Sequence, residues 1–460
     1  MRRVGGATAI GVLFGGLACG GVAVYGWLVG SISDTWKDQN NIVIREKETG
    51  AQFVYMQNSK TQEKELRPIP NFTSAQLLTG NAEPQVKKLT SGSLNTEPMG
   101  TGIGIPDAPA LLPTVEELSP IPWTVCSRPQ RDSDRNKQAE YQTDVLIGQQ
   151  DFEATSMGDN QVVVVHPEGD QRQLFVLYNG KRLATTGQSL NALGFSEQPI
   201  AVSPTLLNAI PEGQQLQGPQ LEGAGQETEH LISGEVTVVG QVFVEAEQEQ
   251  YWIMDRQGPR VIDELQAKLL LSPGGGAQLP GGIEQSEALE APQRELQTAA
   301  GDNVQPMPSG DLPSELPLRT PKLTDGATAT SATVCAWYEG TGEPELTVNG
   351  KVPKASTAAA DAAASAQDGT GTGALRADHT VVESGAGAVV GVQPQGGGDP
   401  SVFYVVTNAG KRYQIPAGTL GTLGYSGEEF DPPTLPSHLV KLIPEGPALT
   451  PKAARQTWAE

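Results

Sequence analysis

Two cysteines lie beyond the first twenty residues, Cys126 in WTVCS and Cys335 in TVCAWY, and they are the side chains best placed to make a bond of their own. Each sits in a short apolar, β-rich stretch beside a tryptophan, as expected of neighbouring buried strands. In an oxidising compartment such a pair is most simply a disulfide, with two buried free thiols as the alternative. A second pattern is a Lys-Arg pair after an Asn-containing turn: Lys181-Arg182 in LFVLYNGKRL and Lys411-Arg412 in FYVVTNAGKRY. It could bind an anion or a polymer, but a solvated hairpin turn is the plainer reading. Gly180-Lys181, Gly350-Lys351 and Gly410-Lys411 lack the upstream Gly and the following Ser or Thr of a phosphate loop. The run GTGTGALR (369–376) lies in low-complexity sequence with no strong strand before it and reads as a linker. His166, His230, His379 and His438 are far apart and are expected at the surface or at strand ends. No HExxH, CxxC or GxSxG occurs, and no carboxylate pair stands out as an acid/base couple. The expectation is therefore no catalytic residue, no cofactor site and no metal site.

Composition narrows the compartment and the partners. With 31 basic and 53 acidic residues the net charge is -22, which argues against nucleic acid as a ligand. The 54 Gly and 35 Pro suit folded modules joined by loose segments better than one enzyme core. Val4–Val29 carries no charge and exceeds the roughly 20 apolar residues that a bilayer-spanning helix needs. Arg2 and Arg3 precede it, so the N-terminus is expected in the cytoplasm and the rest of the chain outside, with Tyr25 and Trp27 near the outer interface. A cleaved signal peptide is the competing reading, but its apolar region would be shorter and would end in a small-x-small site. Gly11/Gly15 and Gly16/Gly20 are spaced for close packing against another membrane helix; a plain Gly-rich anchor is the alternative.

The elements that must carry these residues are partly repeated. LFVLYNGKRL, LNALGF and VSPTLLNAIPEG (within 174–213) are matched, in the same order and at an offset of about 230 residues, by FYVVTNAGKRY, LGTLGY and LPSHLVKLIPEG (within 403–446). Each copy reads as a hairpin, a short helix, and a second helix begun by Ser203-Pro204 or Pro436-Ser437. Residues 234–271 read as a reduced third copy. A fourth starts with the hairpin IVIREKETGAQFVYMQ and the helix in NFTSAQLLTG, whose expected N-cap is Thr73 or Ser74 and whose expected stop is Gly80. Residues 271–330 and 354–373 read as surface loops or disordered insertions.

The blocks KETGAQFVY, GIGIPDAP, LLP…WTVCS, LFVLYNGKRL with VSPTLLNAIPEG, VCAW and LIPEGPALTPKAA resemble, in this order, the EccB family of actinobacterial type VII (ESX) secretion systems. The resemblance covers roughly residues 20 to 455. It implies an inner-membrane protein of α+β class: one N-terminal transmembrane helix, then an elongated periplasmic region with a β-rich core, a disulfide matching Cys126 and Cys335, and four small α/β repeat modules similar to a phage-lysin wall-binding fold. On that basis the expected organisation is a start and anchor (1–30), a juxtamembrane segment and module 1 (31–90), a first core segment with Cys126 (91–160), module 2 (161–215) and module 3 (216–275). A flexible Pro/Gly/acidic insertion (276–330), a second core segment with Cys335 (331–380), module 4 (381–447) and a tail (448–460) follow. Implied partners are EccC, EccD and EccE-like subunits, the mycosin protease and further copies of the chain, with peptidoglycan as a candidate wall ligand. The implied function is a structural and assembly subunit, which needs no active site. The alternatives are NTP hydrolysis, an activity attributed to the family, and peptidoglycan anchoring. Family members usually carry a longer cytoplasmic segment with a basic amphipathic helix before the anchor. Here only Met1–Arg3 precede it, which reads either as a chain that starts late or as a member without that cytoplasmic contact, so cytoplasmic contacts are not carried over.

Overall fold

Alternating apolar residues in IVIRE and QFVYMQ make a hairpin, and that hairpin begins a sheet plan that recurs along the chain. The computed structural model describes residues 36–458 apart from 40, 59–60, 131–139, 150–151, 159, 246–248, 302–304, 314–317, 324–327, 330, 353–375, 383–384, 395 and 428–429. The apolar stretch Val4–Val29, with Gly11, Gly15, Gly16 and Gly20, lies outside these residues, as does all of 354–373. Among the described residues no helix is long and apolar enough to cross a membrane. They fall into two compact units.

The first unit comprises the described parts of 1–112, 418–427 and 447–460. Strand β1 (Ile42–Glu46) pairs antiparallel with β2 (Gln52–Gln57), which pairs antiparallel with β3 (Lys64–Pro68). Helix α1 (Phe72–Thr79) then leads to β4 (Val86–Leu89), which lies parallel to β1, and to α2 (Ser91–Leu94). The cap of α1 is Asn71, two residues before Thr73: its Oδ1 accepts the Ser74 amide at 2.9 Å while its Nδ2 donates to the Ile105 carbonyl at 2.7 Å. Thr73 and Ser74 are already helical, and their hydroxyls bind the returning chain instead: Thr73 Oγ1 donates to the Pro109 carbonyl at 2.7 Å and Ser74 Oγ accepts the Ile105 amide at 3.0 Å. Gly80 ends the helix with φ 70°. Trp36, Ile42, Ile44, Phe53, Tyr55, Leu66, Leu89 and Leu94 form the apolar core. Helix α1 also packs on the short helix Pro451–Ala454 and on the turn Gly421–Leu423.

The second unit (113–417 and 428–446) starts with β5 (Trp123–Pro129), β6 (Tyr141–Ile147) and β7 (Thr155–Ser156). A four-stranded sheet follows: β8 (Val163–Pro167), β9 (Leu174–Tyr178), β10 (Lys181–Thr185), helix α3 (Gly187–Ala192), β11 (Ile200–Val202) and helix α4 (Pro204–Ala209). Ser203 caps α4 and Pro204 occupies its first turn. After the hairpin β12 (Glu227–Ile232)/β13 (Glu235–Val238) come β14 (Val242–Glu245), β15 (Tyr251–Asp255), β16 (Gly258–Ile262) and α5 (Glu264–Leu271). The small hairpin β17 (Gln278–Leu279)/β18 (Ile283–Glu284), β19 (Leu289–Ala291) and α6 (Gln293–Ala300) complete that region. Strands β20 (Val334–Tyr338), β21 (Glu345–Val348) and β22 (His379–Val382) precede a last sheet of β23 (Gly387–Val392), β24 (Val402–Thr407), β25 (Arg412–Pro416) and β26 (Thr434–Leu435), with α7 (Ser437–Val440).

Four sheets share one strand order, β3-β2-β1-β4, β10-β9-β8-β11, β16-β15-β14-β19 and β25-β24-β23-β26: two antiparallel neighbours, then a fourth strand parallel to the first. A six-stranded sheet, β22-β6-β5-β20-β21-β7, joins chain segments far apart in sequence. One of its faces shares a core with two of the four-stranded sheets through Trp123, Val145, Tyr338, Leu206 and Leu439, among others. The stretch 276–330, expected to be a flexible insertion, instead supplies β19 and α6 to the third sheet. A three-residue strand between Glu287 and Pro292 has too little periodicity to signal itself, and its partner β14 lies well upstream.

Candidate functional site

Direct cross-strand pairing carries one row of residues across all six strands of the central sheet: His379, Asp144, Cys126, Cys335, Thr347 and Ser156. Cys126 and Cys335 are joined by a disulfide with an S–S distance of 2.13 Å and a Cα–Cα distance of 4.1 Å. Both are fully buried under Leu146, Phe152, Val352 and Val381. Gly350 allows this cover, since a Cβ there would lie 2.7 Å from Cys335 Sγ and 2.7 Å from the Phe152 ring.

Asp144, next in the row, is wholly buried. Arg128 donates from Nε to Oδ2 at 2.6 Å and from Nη2 to Oδ1 at 3.3 Å, and His379 Nδ1 lies 2.9 Å from Oδ1. Burial alone would raise the Asp144 carboxyl, but the His379 and Arg128 hydrogen bonds outweigh it and hold the group below its usual value. His379 is raised in turn, chiefly by its bond to Asp144, against the opposing effect of burial. Read alone in sequence, His379 is a surface or strand-end residue. No spacing could show that Asp144 would be its partner.

The repeated Lys-Arg pairs also depart from the solvated-turn reading. Arg182 Nε donates to the Ile210 carbonyl at 3.1 Å and Nη2 to Glu212 at 3.1 Å, with its guanidinium 5.5 Å from the Phe175 ring centre. Arg412 repeats this with Ile443 (2.9 Å), Glu445 (2.7 Å) and Tyr404 (4.8 Å). The backbone repeats too: each Arg amide donates to the following motif's proline carbonyl, Pro211 or Pro444, and each Arg carbonyl accepts from Gly213 or Gly446. Thus the Lys-Arg and Ile-Pro-Glu-Gly motifs are two halves of one clamp. The glycine is needed because a Cβ at Gly446 would come within 2.3 Å of the Tyr413 ring. In the first unit Leu66 makes the same backbone bonds, to Pro98 and Gly100, with no guanidinium. Lys181 pairs with Asp311 (2.7 Å) and Glu343 (3.0 Å).

The remaining histidines stay apart. His438 Nε2 lies 3.0 Å from the Ala209 carbonyl, and burial lowers its pKa. His166 lines an open cleft of about 790 Å³ with Tyr141, Glu168, Arg172 and Gln198. His230 lies on β12. Among the described residues no group of His, Cys, Asp or Glu could hold a metal. These geometries can fasten strands and bury charge; they make the shared motifs part of the scaffold.

Known proteins place this scaffold. The chain is 27% identical over 474 residues to the protein named ESX-1 secretion system ATPase EccB1 of Mycolicibacterium smegmatis, covering 97% of this chain and 87% of that one. Its fold is similar to a chain in the intact ESX-5 inner membrane complex (TM-score 0.61, 21% identity, 100% of this chain and 89% of that one). It is also similar to one in the EccB3 dimer from the ESX-3 core complex (TM-score 0.60, 19% identity, 90% and 100%). The family model described as type VII secretion system ESX-1, transport TM domain B, matches residues 1–459, and the chain therefore belongs to the EccB family of type VII secretion systems.

Proposed function

We propose that this chain is a structural and assembly subunit of an ESX secretion membrane complex. Val4–Val29 anchors it, and the body beyond the membrane makes contacts with further copies and with other members of the complex. The observation that carries this reading is the double use of the Arg182/Glu212 and Arg412/Glu445 clamps. The residues the repeats share maintain the repeats' own shape, leaving their outer surfaces to bind neighbours. EccC, EccD and EccE-like subunits and the mycosin protease are the proposed partners. Purifying a C-terminally tagged full chain in mild detergent tests the reading. The expected result is a large assembly containing these membrane subunits, and a chain that migrates alone would overturn it.

A second reading follows from the word ATPase in the relatives' names. Purified chain incubated with ATP distinguishes the two: turnover abolished by a point change that leaves the fold intact would put an enzyme in place of a scaffold. Peptidoglycan anchoring is compatible with assembly, and a pull-down on purified wall decides it.

A further inference from the structure

The four sheets of identical strand order end in equivalent strands, β4, β11, β19 and β26, that differ in what covers them. Ile200 and Val202 of β11 and Leu435 of β26 are buried in the core shared with the six-stranded sheet. On β4, Val86, Lys87 and Lys88 are all exposed, Val86 by 44%. On β19, Leu289 and Glu290 are exposed, Leu289 by 41%. The far edge of each sheet is covered by the chain itself: Met99 bridges to β3, Glu212 to β10 and Glu445 to β25, while the Met307 amide donates to Val261 of β16. All four are terminal strands, and among the described residues β4 and β19 are the ones that carry exposed side chains on both faces.

The two edges carry opposite charge. Lys87 and Lys88 sit on β4, whereas Glu290 on β19 is preceded by exposed Glu287. Charge on an open edge opposes pairing with a like edge. Lysine facing lysine or glutamate facing glutamate is repelled, and only the β4–β19 combination is attractive.

We propose that the β4 edge of one copy pairs with the β19 edge of a second copy, a proposal that rests on the assembly reading above. With Lys87 set against Glu290 in a parallel register, Val86 meets Leu289, so an apolar pair flanks the ion pair. The contact joins different surfaces of the two copies, so a single pairing leaves one β4 and one β19 free for a further contact. Strands of four and three residues make a weak contact in dilute solution. Tethering to one membrane raises the effective concentration enough for it to matter.

Cross-linking in membranes tests the pairing. Two differently tagged full-length chains, both carrying Cys19→Ser, are expressed together, one with Val86→Cys and the other with Leu289→Cys. Both sites are exposed and outside the core, and the charges are kept. Mild oxidation is expected to join the two tags in this mixture and to give no dimer when either cysteine variant is present alone. Lys87→Glu with Lys88→Glu on the Val86→Cys chain should reduce the product at least tenfold, and Glu287→Lys with Glu290→Lys on the other chain should restore it. The restoration separates lost pairing from lost folding. Tags that co-purify without the cross-link overturn the pairing but leave assembly standing; tags that do not co-purify overturn both. Equal cross-linking by one variant alone, or capture of a different protein by Val86→Cys, also overturns it.

Discussion

The two faces of the six-stranded sheet are held by different physics. On one, Trp123, Val125, Val145, Ile147, Val334 and Ala336 join a large apolar core with Leu206, Leu207, Leu439 and Val440. Burial of apolar area is non-directional, so that face tolerates small changes of shape. The other face depends on one disulfide and one carboxylate held by two cations. It also buries the hydroxyls of Thr124 and Thr347 without a hydrogen-bond partner among the described residues. Contacts of this kind are few and fail as units, because removing one partner strands the other. The apolar face spreads its share of the stability over many tolerant contacts, while the polar face concentrates its share in a few.

The largest effect expected is from the covalent bond. Replacing Cys126 and Cys335 together by Ser should cost about 5 kcal/mol by the chain-entropy estimate for a long loop. Denaturation of the full chain in detergent, with and without reductant, measures it. A variant as stable as the parent would mean that the polar face adds little. Next is Asp144→Ala, which leaves Arg128 and His379 beside an empty buried site and should cost about 3–5 kcal/mol. Replacing all three residues with apolar ones of similar size should recover most of that loss; if it does not, the trio does more than satisfy its own charges.

The clamps give a smaller and graded effect. Arg412 is only 7% exposed and stacks closely on Tyr404, whereas Arg182 is half-buried over a more distant Phe175. Arg412→Ala should therefore cost about 2 kcal/mol and Arg182→Ala about 1 kcal/mol, since a charged hydrogen bond is worth more where water is excluded. Equal losses would mean that burial does not control the clamp. On the apolar face, Tyr338 donates its hydroxyl to the Ala209 carbonyl at 2.5 Å. Tyr338→Phe keeps the ring and should cost about 1 kcal/mol, measured in the same denaturation series.

What the sequence shows of all this depends on how locally each feature is encoded. Lys181-Arg182 with Ile210–Gly213, and Lys411-Arg412 with Ile443–Gly446, recur in order and reveal the repeat, although only coordinates show that the two motifs touch. The cysteines are legible because the chain beyond Cys19 offers no third one. Strands β11, β19 and β26 are two or three residues long and pair with strands reached only after a helix, so no alternation marks them. Asp144 and His379 meet through parallel pairing of β6 with β22, across most of the chain, and neither carries a local pattern. Asn71, Thr73 and Ser74 all bind the chain returning through Ile105–Pro109, a contact that the residues next to the helix do not encode, and Asn71 is the one left at the cap.

The smallest effect separates the faces by sign. His379, on the polar face, has its pKa raised above the ordinary 6.5, chiefly by Asp144. Its contribution is complete below about pH 6.5 and is lost as pH rises through the folded value. Asp144, lowered from 3.8, contributes above about pH 4 and loses that contribution as pH falls through its own folded value. His438, on the apolar side, is lowered by burial, with the nearby Lys441 charge adding to the shift against the Ala209 bond. Its neutral form belongs to the folded state, so stability falls as pH drops below about 6.5 towards that lowered value. The two histidines therefore tilt the pH profile in opposite directions across the range around their ordinary 6.5, His379 above it and His438 below it. His379→Gln should leave a protein whose denaturation midpoint rises more steeply with pH across that range, and His438→Gln one whose midpoint rises less or falls. If both variants shift the slope in the same direction, the contrast between a face that holds charge and a face that excludes it is wrong.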